Sequence, residues 1–138
     1  MSQTTLDIKE PGLNVLPPGV ERHVVNAGGL TGLQIFPDDE IEIINEEGNQ
    51  ICEIICFDKD GKSELGILNQ KENCKKSFIK ELLKSKDESS LITNLQLKKR
   101  NLDINKSKSS ILFDEQTPSG EKIKIKSKDK CYVIFAAP

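Results

Sequence analysis

The chain has 138 residues, a formal net charge of -2, and 36% apolar and 30% charged residues, which suits one domain with a single core and a solvated surface. No apolar run approaches the roughly 20 residues that a membrane span needs. The first residues also lack the basic-then-apolar order of a signal peptide. Transmembrane, secreted and collagenous classes are excluded on this basis, and we expect a cytoplasmic protein.

The first half of the chain predicts an extended arm followed by strands. Prolines and glycines recur in residues 1–20, which predicts an extended N-terminal arm, and residues 21–138 are predicted to form a single β-rich domain. Alternating or apolar runs predict strands over residues 21–26, 30–36, 40–45 and 50–58. Residues 45–49, where Gly48 can supply a positive φ, predict a hairpin loop, so these strands are expected to form a β-meander.

The middle of the chain changes from strand to helix periodicity. One amphipathic helix of about three turns is predicted from an apolar face of Cys74, Phe78, Ile79, Leu82 and Leu83. A second, weaker helix is predicted around Leu91, Ile92 and Leu95, with Ser85 and Glu88 in a capping-box spacing. Both helices are expected to cover one face of the sheet.

Strand patterns return in the last third of the chain, after a polar loop over residues 101–109. They cover residues 110–114, 122–126 and 131–135, and the alternating Lys-Ile-Lys-Ile-Lys of the second predicts a half-buried or edge strand. About seven strands and one or two helices result. The predicted fold is mainly β (α+β): a β-sandwich or partly open barrel with the helices inserted in the middle.

Charge is divided unevenly along the chain. Residues 1–69 hold 4 Lys and Arg against 13 Asp and Glu, and residues 70–138 hold 16 against 9. Such asymmetry is found on nucleic-acid-binding and membrane-binding surfaces. With only 4% aromatic residues there is little to stack on bases. We therefore expect neither a nucleic-acid nor a membrane partner, and we expect the acidic half to pair with the basic half in the fold.

The four cysteines have three possible interpretations: structural thiols, metal ligands or a catalytic nucleophile. Cys52 and Cys56 are predicted to lie about 13 Å apart on one face of a strand, too far for one zinc ion. Cys74 and Cys131 stand beside apolar residues, where cysteine acts as a small hydrophobic side chain. Structural cysteine is the favoured interpretation.

Other motifs are weak. Gly28, Gly29 and Gly32 lack the Gly-Lys-Ser/Thr ending of a phosphate loop, and the turn around Asp58, Asp60 and Glu64 lacks the ligand spacing of a calcium-binding loop. His23, the single histidine, has no nucleophile at a motif spacing, and the acidic pairs at residues 38–40 and 46–47 fall in predicted loops. No catalytic, cofactor-binding or metal-binding residue is therefore assigned.

Two parts of the chain carry a family resemblance. Residues 26–60 run from a glycine-containing strand through an alternating strand and the turn Glu47-Gly48-Asn49-Gln50 into an apolar strand. This order resembles the opening of the urea-carboxylase-associated domain family, and residues 129–138 resemble its last strand. That family carries histidine and cysteine in its middle region, whereas residues 65–104 of this chain contain no histidine.

A related module occurs as an N-terminal extension of proteins that look like the glycine-cleavage T-protein, a folate-dependent aminomethyltransferase. The resemblance implies a non-catalytic accessory domain whose partner is the catalytic domain of the same polypeptide. Tetrahydrofolate would then be a cofactor of the parent protein, bound beyond residue 138, and this chain would hold none. The alternatives are a stand-alone enzyme of amine or urea metabolism that uses Cys131 or His23, and a carbohydrate- or nucleotide-binding module, which the low aromatic content disfavours.

Overall fold

A computed structural model of the protein describes residues 23–74 and 76–138. Within them, strands and helices follow in the order β1 Gly29–Ile35, β2 Glu40–Asn45, β3 Cys52–Asp58, α1 Phe78–Leu82, α2 Glu88–Lys99, β4 Ser109–Phe113, β5 Glu121–Lys126 and β6 Cys131–Ala137. Short 3-10 turns span Leu65–Leu68 and Ile104–Lys106. The predicted fold class is confirmed: the domain is mainly β, with two antiparallel sheets and two helices in the middle of the chain. None of the described helices is long and apolar enough to cross a membrane.

The larger sheet has four strands in the order β1-β6-β3-β4, all antiparallel to their neighbours. Every residue of β6 is buried, and so are the five residues inside the ends of β3. The nearly continuous apolar run at residues 50–58 predicts a strand covered on both faces, and the β-branched and aromatic run at residues 131–135 predicts an interior strand; both predictions are confirmed. The predicted arm and residues 21–22 lie outside the described residues, while residues 23–26 are irregular rather than a strand.

The predicted meander is wrong, because β2 pairs with β5 in a separate two-stranded sheet. The physical reason lies in the matching patterns of the two strands. Isoleucines face isoleucines at Ile41 and Ile125, and carboxylates face lysines, with Glu42 Oε2 3.9 Å from Lys124 Nζ. Such an exposed ion pair adds less than about 1 kcal/mol to the free energy of unfolding. It nevertheless favours this register over one in which side chains of like charge would face each other. The acidic and basic halves of the chain meet here as expected.

The four-stranded sheet carries a core on each face. One face packs against the two-stranded sheet and the first 3-10 turn, through side chains that include Ile54, Cys56, Leu68, Val133 and Phe135. The opposite face packs under the two helices, through Ile55, Phe57, Ile79, Leu97 and Ile134 among others. The prediction that both helices cover one face of the sheet is therefore confirmed.

Helix α1 is shorter than its apolar pattern predicts, and it begins at Phe78 instead of near Cys74. The buried carboxylate of Glu53 determines this start: it accepts hydrogen bonds from Ser77 Oγ at 2.6 Å, Phe78 N at 2.7 Å and Ile79 N at 3.2 Å. The Ser77 hydroxyl in turn accepts from Lys80 N. A side chain from β3 thus caps the helix, an arrangement that local spacing cannot reveal.

Helix α2 is the longer of the two helices, and the face that it buries against the sheet is opposite to the predicted one. Its N-cap is Asp87, not Ser85, since the Asp87 carboxylate accepts from Ser89 N. The residues it buries are Ser90, Thr93 and Leu97. The three that were predicted to be buried, Leu91, Ile92 and Leu95, are 52%, 53% and 66% exposed.

Hydrogen bonds explain how a polar face can be buried here. Ser90 Oγ donates to the Leu82 carbonyl at 2.7 Å, and Thr93 Oγ1 donates to the Ser89 carbonyl at 2.8 Å. Asn94 Nδ2 donates to the Leu83 carbonyl at 2.8 Å, which ties α2 to the end of α1. Because each buried polar group has a partner, burying this face carries little desolvation penalty.

Candidate functional site

A cavity of about 330 Å³ opens at the edge of the sheet where α2 ends. Three elements meet there: β1 contributes Gln34, β6 contributes Tyr132, and the end of α2 contributes Arg100. The turn after β3, which begins at Asp58, closes the remaining side. This cavity is the candidate functional site because charged and aromatic side chains from distant parts of the chain converge in it.

The backbone at the end of α2 places Arg100. Arg100 is the C-cap, and the next residue, Asn101, adopts the left-handed conformation with φ of 58°. Asn101 N donates to the Lys98 carbonyl at 3.1 Å, and Leu102 N donates to the Leu97 carbonyl at 2.9 Å. These two bonds form a Schellman motif, and Leu97 and Leu102 both pack in the core under the helices. The position from which the arginine projects is therefore rigid.

The guanidinium of Arg100 is oriented by two contacts. Its Nη1 donates to Gln34 Oε1 at 2.7 Å, and its Cζ lies 4.4 Å from the ring centroid of Tyr132. Gln34 is itself held, since its Nε2 donates to the Cys131 carbonyl at 2.8 Å. Across the described residues no carboxylate lies within ion-pair distance of Arg100. The arginine is therefore held in place by neutral groups.

The Tyr132 hydroxyl is buried without a hydrogen-bond partner among the described residues. Its oxygen lies over Gly32, where a Cβ atom would stand only 1.8 Å from it. Burial raises the pKa of Tyr132, and the neighbouring Arg100 partly offsets this increase. A buried hydroxyl that lacks a partner destabilises a fold by about 1–3 kcal/mol, so its presence here calls for an explanation.

Negative charge lines the cavity opposite the arginine. Asp58 Oδ1 accepts hydrogen bonds from Asp60 N and Lys62 N, both at 2.9 Å, and Gly61 turns the chain with φ of 85°. The segment that resembled part of a calcium-binding loop is therefore a turn, as predicted. Lys130 also lines the cavity, but its ammonium lies 5.8 Å from the ring centroid of Phe36. Lys59 lines the cavity as well, and of these three cations Arg100 alone donates a side-chain hydrogen bond to another described residue.

The four cysteines are free thiols. Cys56 and Cys131 are buried on adjacent strands in the core between the sheets, and Cys131 Sγ lies 3.6 Å from Ser127 Oγ. The interaction between the two thiols lowers the pKa of Cys131 and raises that of Cys56, and burial raises the pKa of Cys56 further. Burial raises the pKa of Cys52 to about 12.

Cys74, which was predicted to lie on the apolar face of the first helix, lies outside α1 in a bridge to Ser109, and its Sγ donates to the Lys76 carbonyl at 3.0 Å. The buried positions of Cys56 and Cys131 agree with structural thiols. In the described part of the chain no three His, Cys, Asp or Glu side chains converge as a metal site would require.

The remaining candidates from the sequence do not converge on the cavity. His23 is exposed, and so are the acidic residues 38–40 and 46–47. Glu40 is the first residue of β2 and not part of a loop as predicted, whereas the other four lie in loops. The glycine-rich segment forms a turn in which Gly28 N donates to the Ala137 carbonyl at 2.6 Å and Gly29 N donates to the Asn26 carbonyl at 2.8 Å. Those two amides are therefore engaged in a turn, which was predicted to connect two strands and instead leads from irregular residues 23–26 into β1.

Sequence reasoning missed the group of Gln34, Arg100 and Tyr132. Gln34 and Arg100 are 66 residues apart along the chain, and none of the three residues belongs to a sequence motif. One signal was present: Arg100 is one of two arginines in a chain whose other basic residues are all lysines. An arginine offers a planar fork that lysine lacks.

Fold and cavity together define an α+β domain with a charged cleft at one sheet edge. Over 131 residues, or 95% of this chain, the sequence is 34% identical to trimethylamine-oxide aldolase of Ruegeria pomeroyi. The chain is therefore homologous to part of that protein, and it spans 17% of that protein's length. No family model matches the chain, and no solved structure matches it.

Proposed function

We propose that this domain is a non-catalytic accessory domain of a larger protein that resembles trimethylamine-oxide aldolase and the folate-dependent aminomethyltransferases. The observation that carries the proposal is the homology: nearly the whole domain aligns with about one sixth of a much longer enzyme. The motifs at residues 47–50 and 129–138 point in the same direction. The partner would be the catalytic body of such a protein.

The outward face of α2 supports the proposal. Leu91, Ile92 and Leu95 form an apolar surface on a helix whose polar side faces the core. Exposed apolar patches of this kind usually mark sites where another protein surface packs. Lysines that precede α2 and lie in its last turn border this surface, at Lys84, Lys86, Lys98 and Lys99. We infer a partner surface that is apolar at its centre and acidic at its edge.

The residues of the cavity do not fit tetrahydrofolate. A pterin ring needs apolar walls with a few aimed polar groups, whereas this cavity is lined by Asp58, Asp60, Arg100 and Lys130. The Tyr132 ring, which could stack on a pterin, is already covered by the Arg100 guanidinium. We expect no saturable binding of tetrahydrofolate to the isolated chain by calorimetry. A dissociation constant in the low micromolar range would place a folate site in this domain and contradict the proposal.

The first test is the gene. The reading frame beyond codon 138, or an adjacent gene, should encode a segment that aligns with the rest of the aldolase. A stop codon together with the absence of such a neighbour would overturn the accessory role.

The second test uses that longer protein or complex. Amide hydrogen exchange on the outward face of α2 should be slower there than in the isolated chain. The double substitution Leu91→Lys with Leu95→Lys should abolish the protection, while Lys99→Gln, on the same helix, serves as the control. Equal exchange in both contexts would show that this face has no partner in the parent protein.

The alternative is a stand-alone enzyme of amine metabolism, which the name of the relative favours. Its candidate residues are not brought together, since Cys131 is buried and His23 is exposed. The loss of the N-methyl proton signal of trimethylamine oxide, followed by NMR with the purified chain, distinguishes the two. Turnover by the chain alone would favour the enzyme.

A further inference from the structure

We infer that the outward face of α2 is covered by the polypeptide segment that directly follows Pro138 in the parent protein, and that this segment runs along α2 from its start to its end. Such a segment depends on the accessory role proposed above. Three features of the fold support it: the place of Pro138, the apolar residues on α2 and the change of charge along that helix.

The backbone at Pro138 is held at a defined place. Gln50 Nε2 donates to the Pro138 carbonyl at 3.0 Å, and the preceding residue, Ala137, is paired with Gly29 of β1. Gly29 lies against the first turn of α2, since a Cβ atom on it would stand 3.4 Å from Ser89 Oγ. A polypeptide that leaves Pro138 therefore emerges beside the start of α2.

Helix α2 runs alongside β1, because both of its ends bond to that strand. Leu30 N donates to Ser89 Oγ at 3.3 Å near the start, and Arg100 Nη1 donates to Gln34 Oε1 at 2.7 Å at the end. Since β6 is antiparallel to β1, the end of β6 meets the start of α2. A following segment thus reaches the start of the helix first and covers the outward face by running toward its end.

The path from Pro138 to this face is short. Neighbouring strands are about 5 Å apart and a helix with its side chains is about 10 Å wide, so the path around the start of α2 to Leu91 is roughly 25 Å. At about 3.3 Å per extended residue, a linker of about eight residues spans it. Such a linker gives an effective concentration in the millimolar range, so that a small apolar face can hold the segment.

The outward face specifies the chemistry of the segment. Glu88 lies one helical turn before Leu91, and Lys98 lies one turn beyond Leu95, so the charge on this face changes from negative to positive along the helix. Lys98 has no carboxylate within ion-pair distance among the described residues. The segment should therefore be apolar in its middle, and its acidic residues should lie at its distal end.

The test is photo-cross-linking in the parent protein. Benzoylphenylalanine in place of Leu95 keeps the face apolar, and it should cross-link to a peptide within about 20 residues after Pro138, identified by mass spectrometry. That length is the sum of the linker and a stretch equal to the 12 residues of α2. The same probe at Glu115, an exposed residue after β4 at the opposite edge of the sheet, should not join this peptide.

A charge reversal tests the direction of the segment. Lys98→Glu should speed amide exchange at Leu91 and Leu95 in the parent protein about two- to fivefold, as expected for the loss of an exposed ion pair. Lys122→Glu, at an exposed position on β5, is the matched control and should leave this exchange unchanged. Equal exchange in the two variants would overturn the placement of acidic residues beside Lys98.

Failure of this inference is distinguishable from failure of the accessory role. A cross-link from the Leu95 position to a remote peptide of the catalytic body would leave the accessory role in place and overturn the following segment as the occupant. A cross-link between two copies of the domain would overturn it as well. No cross-link, together with equal amide exchange in the parent protein and the isolated chain, would overturn both the segment and the docking of this face.

Discussion

Glu53 provides the sharpest test of how this domain is held together. Its carboxylate is fully buried, accepts three hydrogen bonds from the start of α1 and has no cation beside it among the described residues. Replacing it by alanine leaves one hydroxyl and two amides without an acceptor and opens a cavity. Replacing it by glutamine keeps the shape, so that one oxygen can still accept from Phe78 N and Ile79 N.

The magnitudes follow from these contacts. Each buried donor left unsatisfied destabilises by about 1–3 kcal/mol, but the helix end can move toward water, so the sum is an upper bound. We expect Glu53→Ala to lower the free energy of unfolding by about 3–5 kcal/mol and Glu53→Gln by about 1–2 kcal/mol. At roughly 4 °C per kcal/mol for a chain of this length, the alanine variant should melt about 12–20 °C lower.

The assay is urea unfolding followed by far-UV circular dichroism, supported by calorimetry. Glu42→Gln is the matched control, since that carboxylate forms only the long pair with Lys124, and it should change stability by less than about 1 kcal/mol. If Glu53→Ala loses under about 1 kcal/mol, like a surface substitution, the cap does not hold α1 on the sheet.

Three further predictions concern the sheet and its thiols. Tyr132→Phe should raise the free energy of unfolding by about 1 kcal/mol at neutral pH, since it removes an unpartnered hydroxyl. Burial raises the pKa of Tyr132 in the folded state. The part of the free energy of unfolding that depends on this protonation is therefore complete below the unfolded pKa of about 10 and is lost as pH rises through the folded pKa. A phenylalanine variant that loses as much stability at alkaline pH as the wild type would be inconsistent with this. Gly32→Ala should destabilise by about 1–3 kcal/mol, since its Cβ would overlap the Tyr132 hydroxyl, and chemical denaturation that shows no change would disprove the close approach. Under native conditions a thiol reagent should modify Cys74, faster as pH rises, and reach Cys56 and Cys131 only after denaturation; rapid native labelling of all four thiols would contradict their burial.

Local pattern was enough to find the strands but not their partners. The β-branched and aromatic run at residues 131–135 identified an interior strand, because such residues pack on pleated, buried surfaces. The hairpin between β2 and β3 was wrong because loop composition shows that the chain turns, not which strand it then meets. Pairing of β2 with β5 depends on residues about 80 positions apart, as in Ile41 and Ile125, and only the division of charge between the halves pointed to it.

Helix prediction failed where hydrogen bonds, and not apolar area, decide which face is buried. Helix α1 starts at a cap provided by Glu53 of β3, and α2 turns Ser90 and Thr93 inward because carbonyls of α1 and α2 accept their hydroxyls. A periodicity of apolar residues assumes that the apolar face meets this domain's own core. That assumption does not hold for α2, whose apolar residues Leu91, Ile92 and Leu95 are exposed.

The cavity could not be predicted for a related reason. Gln34, Arg100 and Tyr132 come from the first strand, the end of the second helix and the last strand, and none is defined by its sequence neighbours. The Tyr132 hydroxyl, buried over Gly32 without a partner among the described residues, is an energetic defect that has no signature in sequence. A buried polar group without a partner breaks the usual rule of hydrogen-bond satisfaction, and such exceptions are expected at or near functional sites.

The anchoring of α2 fixes both the proposed docking face and the position of the cavity's arginine. Helix α2 is fixed on the sheet by hydrogen bonds from Ser90 and Asn94 to α1 and by the Schellman motif at its end. That anchoring does not use the helix's outward leucines, so the apolar face is presented in one orientation before any partner binds, which reduces the entropy lost on docking. It also fixes Arg100 at the cavity, so a surface that packs on Leu91 and Leu95 would contact the element that carries this arginine. Because the helix is held in one position before docking, we expect a partner on its outward face to leave the position of Arg100 unchanged.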